Sequence, residues 1–167
     1  MMRHIDFKNS TSFEPLTEEH LEEAEEFFDE FMDSVRFPPA LIEQLKRNNG
    51  GEPVQRHFKT QTNEYPIRLF YNLSDNETII AHESNGIFDK WHFLKNRFNN
   101  PLLVPIADTT IGDIIMLDYN GTPRDNPRVA LWFHECDEKG EFSYPMEHIA
   151  DNMEAFLELL TEDFTRS

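Results

Sequence analysis

The stretch that most constrains the fold is Leu102–Glu135, LLVPIADTTIGDIIMLDYNGTPRDNPRVALWFHE. Three β-rich runs, VPIA, DIIMLDY and RVALWFH, are separated by two polar breaks that carry glycine. The pattern predicts strand, turn, strand, loop, strand. Gly112 falls between a short polar tract and DIIML, where a backbone of positive φ is easiest for glycine. Asn120-Gly121 ends the second run, and Pro123 and Pro127 keep the connecting loop out of a sheet. Polar groups at these turns read as structural rather than catalytic.

Helical patterns flank this frame. Thr17 is placed to cap TEEHLEEAEEFFDEFMDSV, a helix expected over about 17–34. Leu21, Ala24, Phe27, Phe28 and Phe31 recur along it at helical spacing and form one apolar face. Pro38-Pro39 opens a second helix, ALIEQLKRN, with Leu41, Ile42 and Leu45 facing inward and Lys46-Arg47 suited to its C-terminal end. Asn49-Gly50-Gly51 stops it. Pro66–Tyr71 reads as a strand. Ser74 with Glu77 has the capping-box form, so ETIIAHES is expected to be helical, although Ile79-Ile80 also suits a strand. Gly86 breaks it before FDKWHFLKNRF. Near the C-terminus Asp151 can cap a helix whose stripe is Met153, Phe156, Leu157, Leu160 and Phe164. That stripe reads as core.

A chain of 167 residues is most simply one domain, spanning 1–167. Fifteen phenylalanines and 38% hydrophobic residues argue against disorder. No apolar run reaches the length of a membrane span, and MMRHIDFKNS lacks a signal-peptide core. The one cysteine, Cys136, cannot form an internal disulfide. The expected location is the cytoplasm.

The net charge of −17 is unevenly placed. Residues 1–35 hold eleven acids and two bases, residues 129–167 ten acids and two bases, and residues 36–128 eleven of each. An excess confined to the chain ends argues against nucleic acid or an anionic membrane as direct partner, since both need a basic footprint. It permits a basic protein. In the first helix Glu18, Glu22, Glu26 and Glu30 form one i,i+4 row, beside Glu19/Glu23 and Glu25/Asp29/Asp33. Six like-charge pairs at roughly 0.2–0.5 kcal/mol each cost an isolated helix about 1–3 kcal/mol. No base within the helix offsets them. Two readings stand: a solvated face kept soluble by charge, or a face for a cationic partner built on Glu22, Glu26 and Glu30.

Seven histidines and many carboxylates invite a search for chemistry. The chain lacks H-E-x-x-H, paired C-x-x-C, an EF-hand loop and a Gly-rich phosphate cradle. His134, Glu135 and Cys136 form the tightest cluster. In a strand, however, His134 and Cys136 point one way and Glu135 the other, which leaves a two-ligand edge at most. No metal, cofactor or catalytic residue is expected. Asp108 and Asp113 flank a turn, where their side chains are expected to bond nearby backbone N–H groups. Trp132 either fills core or, with His134, reaches a groove where a partner binds.

The blocks in order resemble the SUKH superfamily, which holds bacterial toxin-immunity proteins and the Smi/Knr-type regulators of fungal cell walls. Phe37-Pro38-Pro39 through Leu45 to Asn49-Gly50-Gly51 resembles the family's proline-led helix closing on a glycine pair. Pro105-Ile106-Ala107 with Gly112-Asp113 resembles its central hairpin, Val129 with Trp132 and His134 its third strand, and Ile149-Ala150 with Phe156, Leu157 and Leu160 its closing helix. The resemblance covers about 37–160; residues 52–101 follow it only loosely. Pro39, Gly50, Gly51, Pro105, Gly112 and Asp113 are its structural positions. Ile111 departs from it, standing where the family usually has a small turn residue, and Asn152-Met153 replaces a common Ser-Phe. The resemblance implies an α+β fold, a mainly antiparallel sheet with helices packed largely on one face. It also implies a non-enzymatic immunity protein that neutralises a cognate polymorphic toxin domain, often a nuclease. The alternative is a Smi/Knr-type regulatory interaction domain.

Overall fold

A computed structural model describes residues 4–8, 16–30, 35–73, 86–98, 102–133 and 146–162. Its elements are α1 (Glu18–Asp29), α2 (Pro39–Arg47), β1 (His57–Lys59), β2 (Glu64–Phe70), α3 (Ile87–Phe98), β3 (Leu103–Thr109), β4 (Ile114–Asp118), β5 (Arg128–Trp132), β6 (Met146–Ala150) and α4 (Met153–Leu159). The strands lie in chain order, β1-β2-β3-β4-β5-β6. Every neighbouring pair is antiparallel. The fold is α+β.

The three central runs are β3, β4 and β5. Register pairs Ile115 with Leu131 and Leu117 with Val129, while Ile114 faces Trp132 and Met116 faces Ala130. Because side chains alternate along a strand, these two sets occupy opposite faces. Ile115, Leu117, Val129 and Leu131 join the main core with Leu21 and Phe28 of α1, Leu41 and Leu45 of α2, and Phe156 and Leu157 of α4. Ile114, Met116 and Trp132 form a smaller cluster with Leu103 and Leu94. Helix α3 serves both, since its Ile87 and Trp91 belong to the main core.

Pro105 sits inside β3, opposite Met116, and the register shifts between Pro105 and Ala107. A residue without an N–H is tolerated in mid-sheet where a bulge interrupts the ladder. Gly112 has φ 95°. Around it Gly112 N–H donates to Thr109 O at 3.1 Å and Thr109 N–H to Asp113 O at 2.9 Å, closing the β3–β4 turn.

Asn49-Gly50-Gly51 does more than stop α2. The Asn49 side chain donates to Leu73 O at 2.9 Å and accepts from Leu73 N–H at 2.8 Å, copying one rung of a ladder for a buried backbone. Gly50 at φ 82° lies so close to the end of β2 that a Cβ would stand 2.9 Å from Asn72 N. Gly51 N–H donates to Phe70 O at 3.0 Å. The motif is a clasp between α2 and β2.

Several boundaries differ from the sequence reading. Helix α1 ends at Asp29, with Glu30 as C-cap bonding back to Phe27 O; residues 31–34 lie outside the described residues. Residues Met146–Ala150 form a strand rather than the approach to a helix. The cap of α4 is Asn152, whose Oδ1 accepts from Ala155 N–H at 2.8 Å. Asp151 instead meets His148 Nε2 at 3.1 Å. The helix expected over ETIIAHES lies outside the described residues, as does Phe164, whereas residues 87–98 are helical. Strand β1 was not anticipated; it pairs with β2 and is tied to the far end of the chain by hydrogen bonds between His57 and Thr161.

Candidate functional site

The acidic helix is built from its caps outward. Thr17 Oγ1 accepts from His20 N–H at 3.1 Å, satisfying one orphan donor of the first turn. Leu21, Ala24 and Phe28 are buried. Phe27 packs edge-on against Phe88 and Trp91 of α3, with ring centroids 4.8 and 5.9 Å apart. With that face fixed, Glu19, Glu22, Glu23, Glu26 and Glu30 are left exposed.

In the folded chain not all acids of α1 are uncompensated. Lys46 Nζ lies 2.5 Å from Glu18, so α2 supplies a cation to the first turn of α1. Arg36 bonds Asp29 at 2.8 Å and lies 3.6 Å from Glu25. Burial raises the Glu25 carboxyl above its ordinary value, Arg36 pulls it down and Asp29 pushes it up. Arg36 is itself anchored: its N–H donates to Arg124 O at 2.9 Å, and its carbonyl accepts from Tyr119 Oη at 2.8 Å. Each exposed pair contributes at most about 1 kcal/mol, yet together they fix where the row stands. Among the described residues Glu22, Glu26 and Glu30 form no ion pair.

The remaining candidates are placed differently. Trp132 is 2% exposed and packs in the smaller cluster. It is core, and the expectation that it reaches a partner's groove is corrected by that burial. His134, Glu135 and Cys136 lie outside the described residues. Asp118 makes the side-chain turn, accepting from Asn120 N–H at 2.9 Å. Asp108 does not: its carboxylate takes Arg68 Nε at 2.7 Å, Arg68 Nη2 at 2.6 Å and Tyr71 Oη at 2.9 Å. A bidentate guanidinium is the stronger partner for a nearly buried carboxylate. Burial first, then the Asp108 charge, pushes the Tyr71 phenol far above its ordinary value, so it stays a donor. At Asp113 the backbone N–H donates to Thr109 Oγ1 at 3.1 Å.

Sequence reasoning missed Arg36 and Lys46, whose role depends on which loop and helix end meet α1. Among the described residues no three His, Cys, Asp or Glu side chains converge as metal ligands do. No helix there is long and apolar enough to cross a membrane.

Neither the curated proteins nor the solved structures give a match to this chain. The family model described as the SMI1 / KNR4 family (SUKH-1) matches residues 15–159. That span takes in α1, which the resemblance over 37–160 had left out. With the proline-led α2, the Asn-Gly-Gly clasp, the bulged β3–β4 hairpin and the closing α4 all inside one match, the chain belongs to the SMI1 / KNR4 family (SUKH-1).

Proposed function

We propose that this protein is a non-enzymatic immunity protein that acts in the cytoplasm by binding a cognate toxin domain, a basic nuclease. The observation that carries the reading is the exposed Glu22, Glu26 and Glu30 row, held in place by Arg36 and Lys46 but not neutralised by them. A nuclease domain needs a cationic surface for phosphate, and an acidic face is complementary to it and speeds encounter. Inhibition follows from covering that surface, with no reaction required. The test is coexpression with the toxin domain encoded by the adjacent gene, scoring growth rescue and a stable complex. Loss of both rejects the reading.

The description of the matching family favours a second reading, a Smi/Knr-type regulatory interaction domain. Several partners of modest affinity are its signature, whereas immunity implies one partner held tightly.

A further inference from the structure

Asn-Gly pairs occur in the chain at 49–50, 85–86 and 120–121. Asn85 lies outside the described residues. The dipeptide carries a reaction of its own: the glycine peptide nitrogen attacks the asparagine side-chain carbon, and a residue without Cβ leaves that approach open. The fold decides where the reaction can run, and it treats the pairs at 49 and 120 in opposite ways.

Asn49 is shut. It is 1% exposed, and both Oδ1 and Nδ2 are engaged by Leu73. Gly50 is pressed against Phe70 and Asn72. Asn120-Gly121 lies open in the loop after β4. Gly121 is exposed, and a Cβ added to it would meet nothing nearer than Arg128 Nη2 at 3.9 Å. Among the described residues the Gly121 N–H donates no hydrogen bond. The Asn120 amide is fastened through Nδ2 alone, which donates to Asp118 Oδ1 at 2.7 Å. Once that one contact opens, the side-chain carbon is free to turn toward Gly121 N.

A cation stands beside the nucleophile. Arg128 Nη2 donates to the Asn120 carbonyl oxygen, which belongs to the same peptide group as Gly121 N. When that N–H loses its proton, the negative charge spreads onto the oxygen. A guanidinium bonded there favours the charged form. Asp118 faces Arg128 in register, yet among the described residues Arg128 forms no ion pair. Its charge is left for the peptide oxygen.

We infer that Asn120 is a site of self-modification, deamidating through a succinimide with Arg128 as the assisting cation. Hydroxide takes the proton from Gly121 N, which attacks Asn120 Cγ. The new N–C bond closes the ring, the Cγ–Nδ2 bond breaks, and ammonia leaves with a proton from water. Water then opens the ring to aspartate or isoaspartate. Isoaspartate lengthens the main chain between Tyr119 and Arg124, the two residues that hold Arg36 and through it α1. The modification therefore falls on the loop that positions the acidic helix.

The experiment incubates the full chain at mildly alkaline pH, folded and in urea, as wild type, Arg128→Gln and Arg128→Lys. Digestion and mass spectrometry follow each Asn-Gly peptide, and an isoaspartyl assay identifies the product. In urea Asn49 and Asn120 are expected to convert at similar rates. In the folded wild type Asn120 still converts, while Asn49 does so roughly tenfold or more slowly. Arg128→Gln slows Asn120 in the folded chain, Lys restores part of the rate, and neither changes the rate in urea. Folded Asn120 as protected as Asn49 overturns the site. A folded Gln variant that converts as fast as wild type overturns the role of Arg128. The wild-type comparison of Asn120 with Asn49 needs no substitution, so it decides the site even where the Gln variant unfolds.

Discussion

Thr62 Oγ1 lies 2.9 and 2.8 Å from the two carboxylate oxygens of Glu147. Thr62 belongs to the β1–β2 turn and Glu147 to β6, so this contact joins the two ends of the strand order. A flat sheet would hold them far apart. Here the sheet twists and curls, and α4 packs against β1, β5 and β6 inside the curl. The Thr62–Glu147 contact is the outer stitch of that closure.

The stitch has a pH signature. Burial opposes ionisation of Glu147, but hydrogen bonds from the Thr60 and Thr62 side chains and from the Thr62 and Gln61 backbone outweigh it. The carboxyl is held below its ordinary 4.5. A carboxyl whose folded value is depressed adds stability that is complete above the unfolded value and is lost as pH falls through the folded one. Glu147→Gln should therefore cost less than about 1 kcal/mol near neutrality, because solvent screens an exposed contact, and little at low pH, once the carboxyl is protonated. Urea unfolding at a series of pH values checks this; equal differences at every pH would show that the charge is irrelevant.

The Asn49 clasp should be among the most sensitive polar positions. Asn49→Ala strands both the N–H and the carbonyl of Leu73, a fully buried residue. Each stranded group costs about 1–3 kcal/mol, so a loss of roughly 2–6 kcal/mol in denaturant unfolding is expected. A loss under about 1 kcal/mol would mean that water replaces the side chain.

Glycines 50 and 112 should rank in a definite order. Gly112→Ala meets the conformational penalty of φ 95°, about 1 kcal/mol. Gly50→Ala meets the same penalty at φ 82° and also drives a Cβ to 2.9 Å from Asn72 N and 3.0 Å from Phe70 O. It should cost more and loosen the α2–β2 junction. Thermal melts of the two variants side by side test the ranking, and a Gly112 variant as damaged as the Gly50 variant would contradict it.

Replacing Glu22, Glu26 and Glu30 together with Gln should leave the fold intact or slightly firmer, because three like charges no longer face each other along the helix. Association with a basic partner should slow and its salt dependence weaken. Stopped-flow association at several ionic strengths is the measurement. Unchanged kinetics with raised stability would reduce the row to a solvated face.

What was legible in the sequence was whatever local chemistry dictates. The Thr17 cap, Pro39 at the start of α2, the glycine at the β3–β4 turn and the β-rich runs of β4 and β5 all depend on near neighbours, and the fold class followed from them. Asn49 was readable as a stop signal but not as a clasp, because Leu73 lies 24 residues away. Asp108 looked like a turn residue until Arg68, 40 positions earlier, reached its carboxylate. The acidic row was visible, but its neutralised members were not: Lys46 is 28 residues from Glu18. Trp132 could not be placed from alternation alone, which separates two faces without saying that both are covered. Strand β6 was missed because MEHIA mixes polar and apolar residues beside a strong helix stripe.

Pro105 bears on how the chain finds this arrangement. A proline cannot donate, so it acts as a notch in β3 that fits only where the ladder already skips a rung. Sliding β3 by one residue along β4 would set the notch against a donor-requiring position. It would also turn Ile106 and Val104 out of the core. The central hairpin therefore has one alignment to settle into during synthesis, and its misaligned competitors are removed by a missing hydrogen atom.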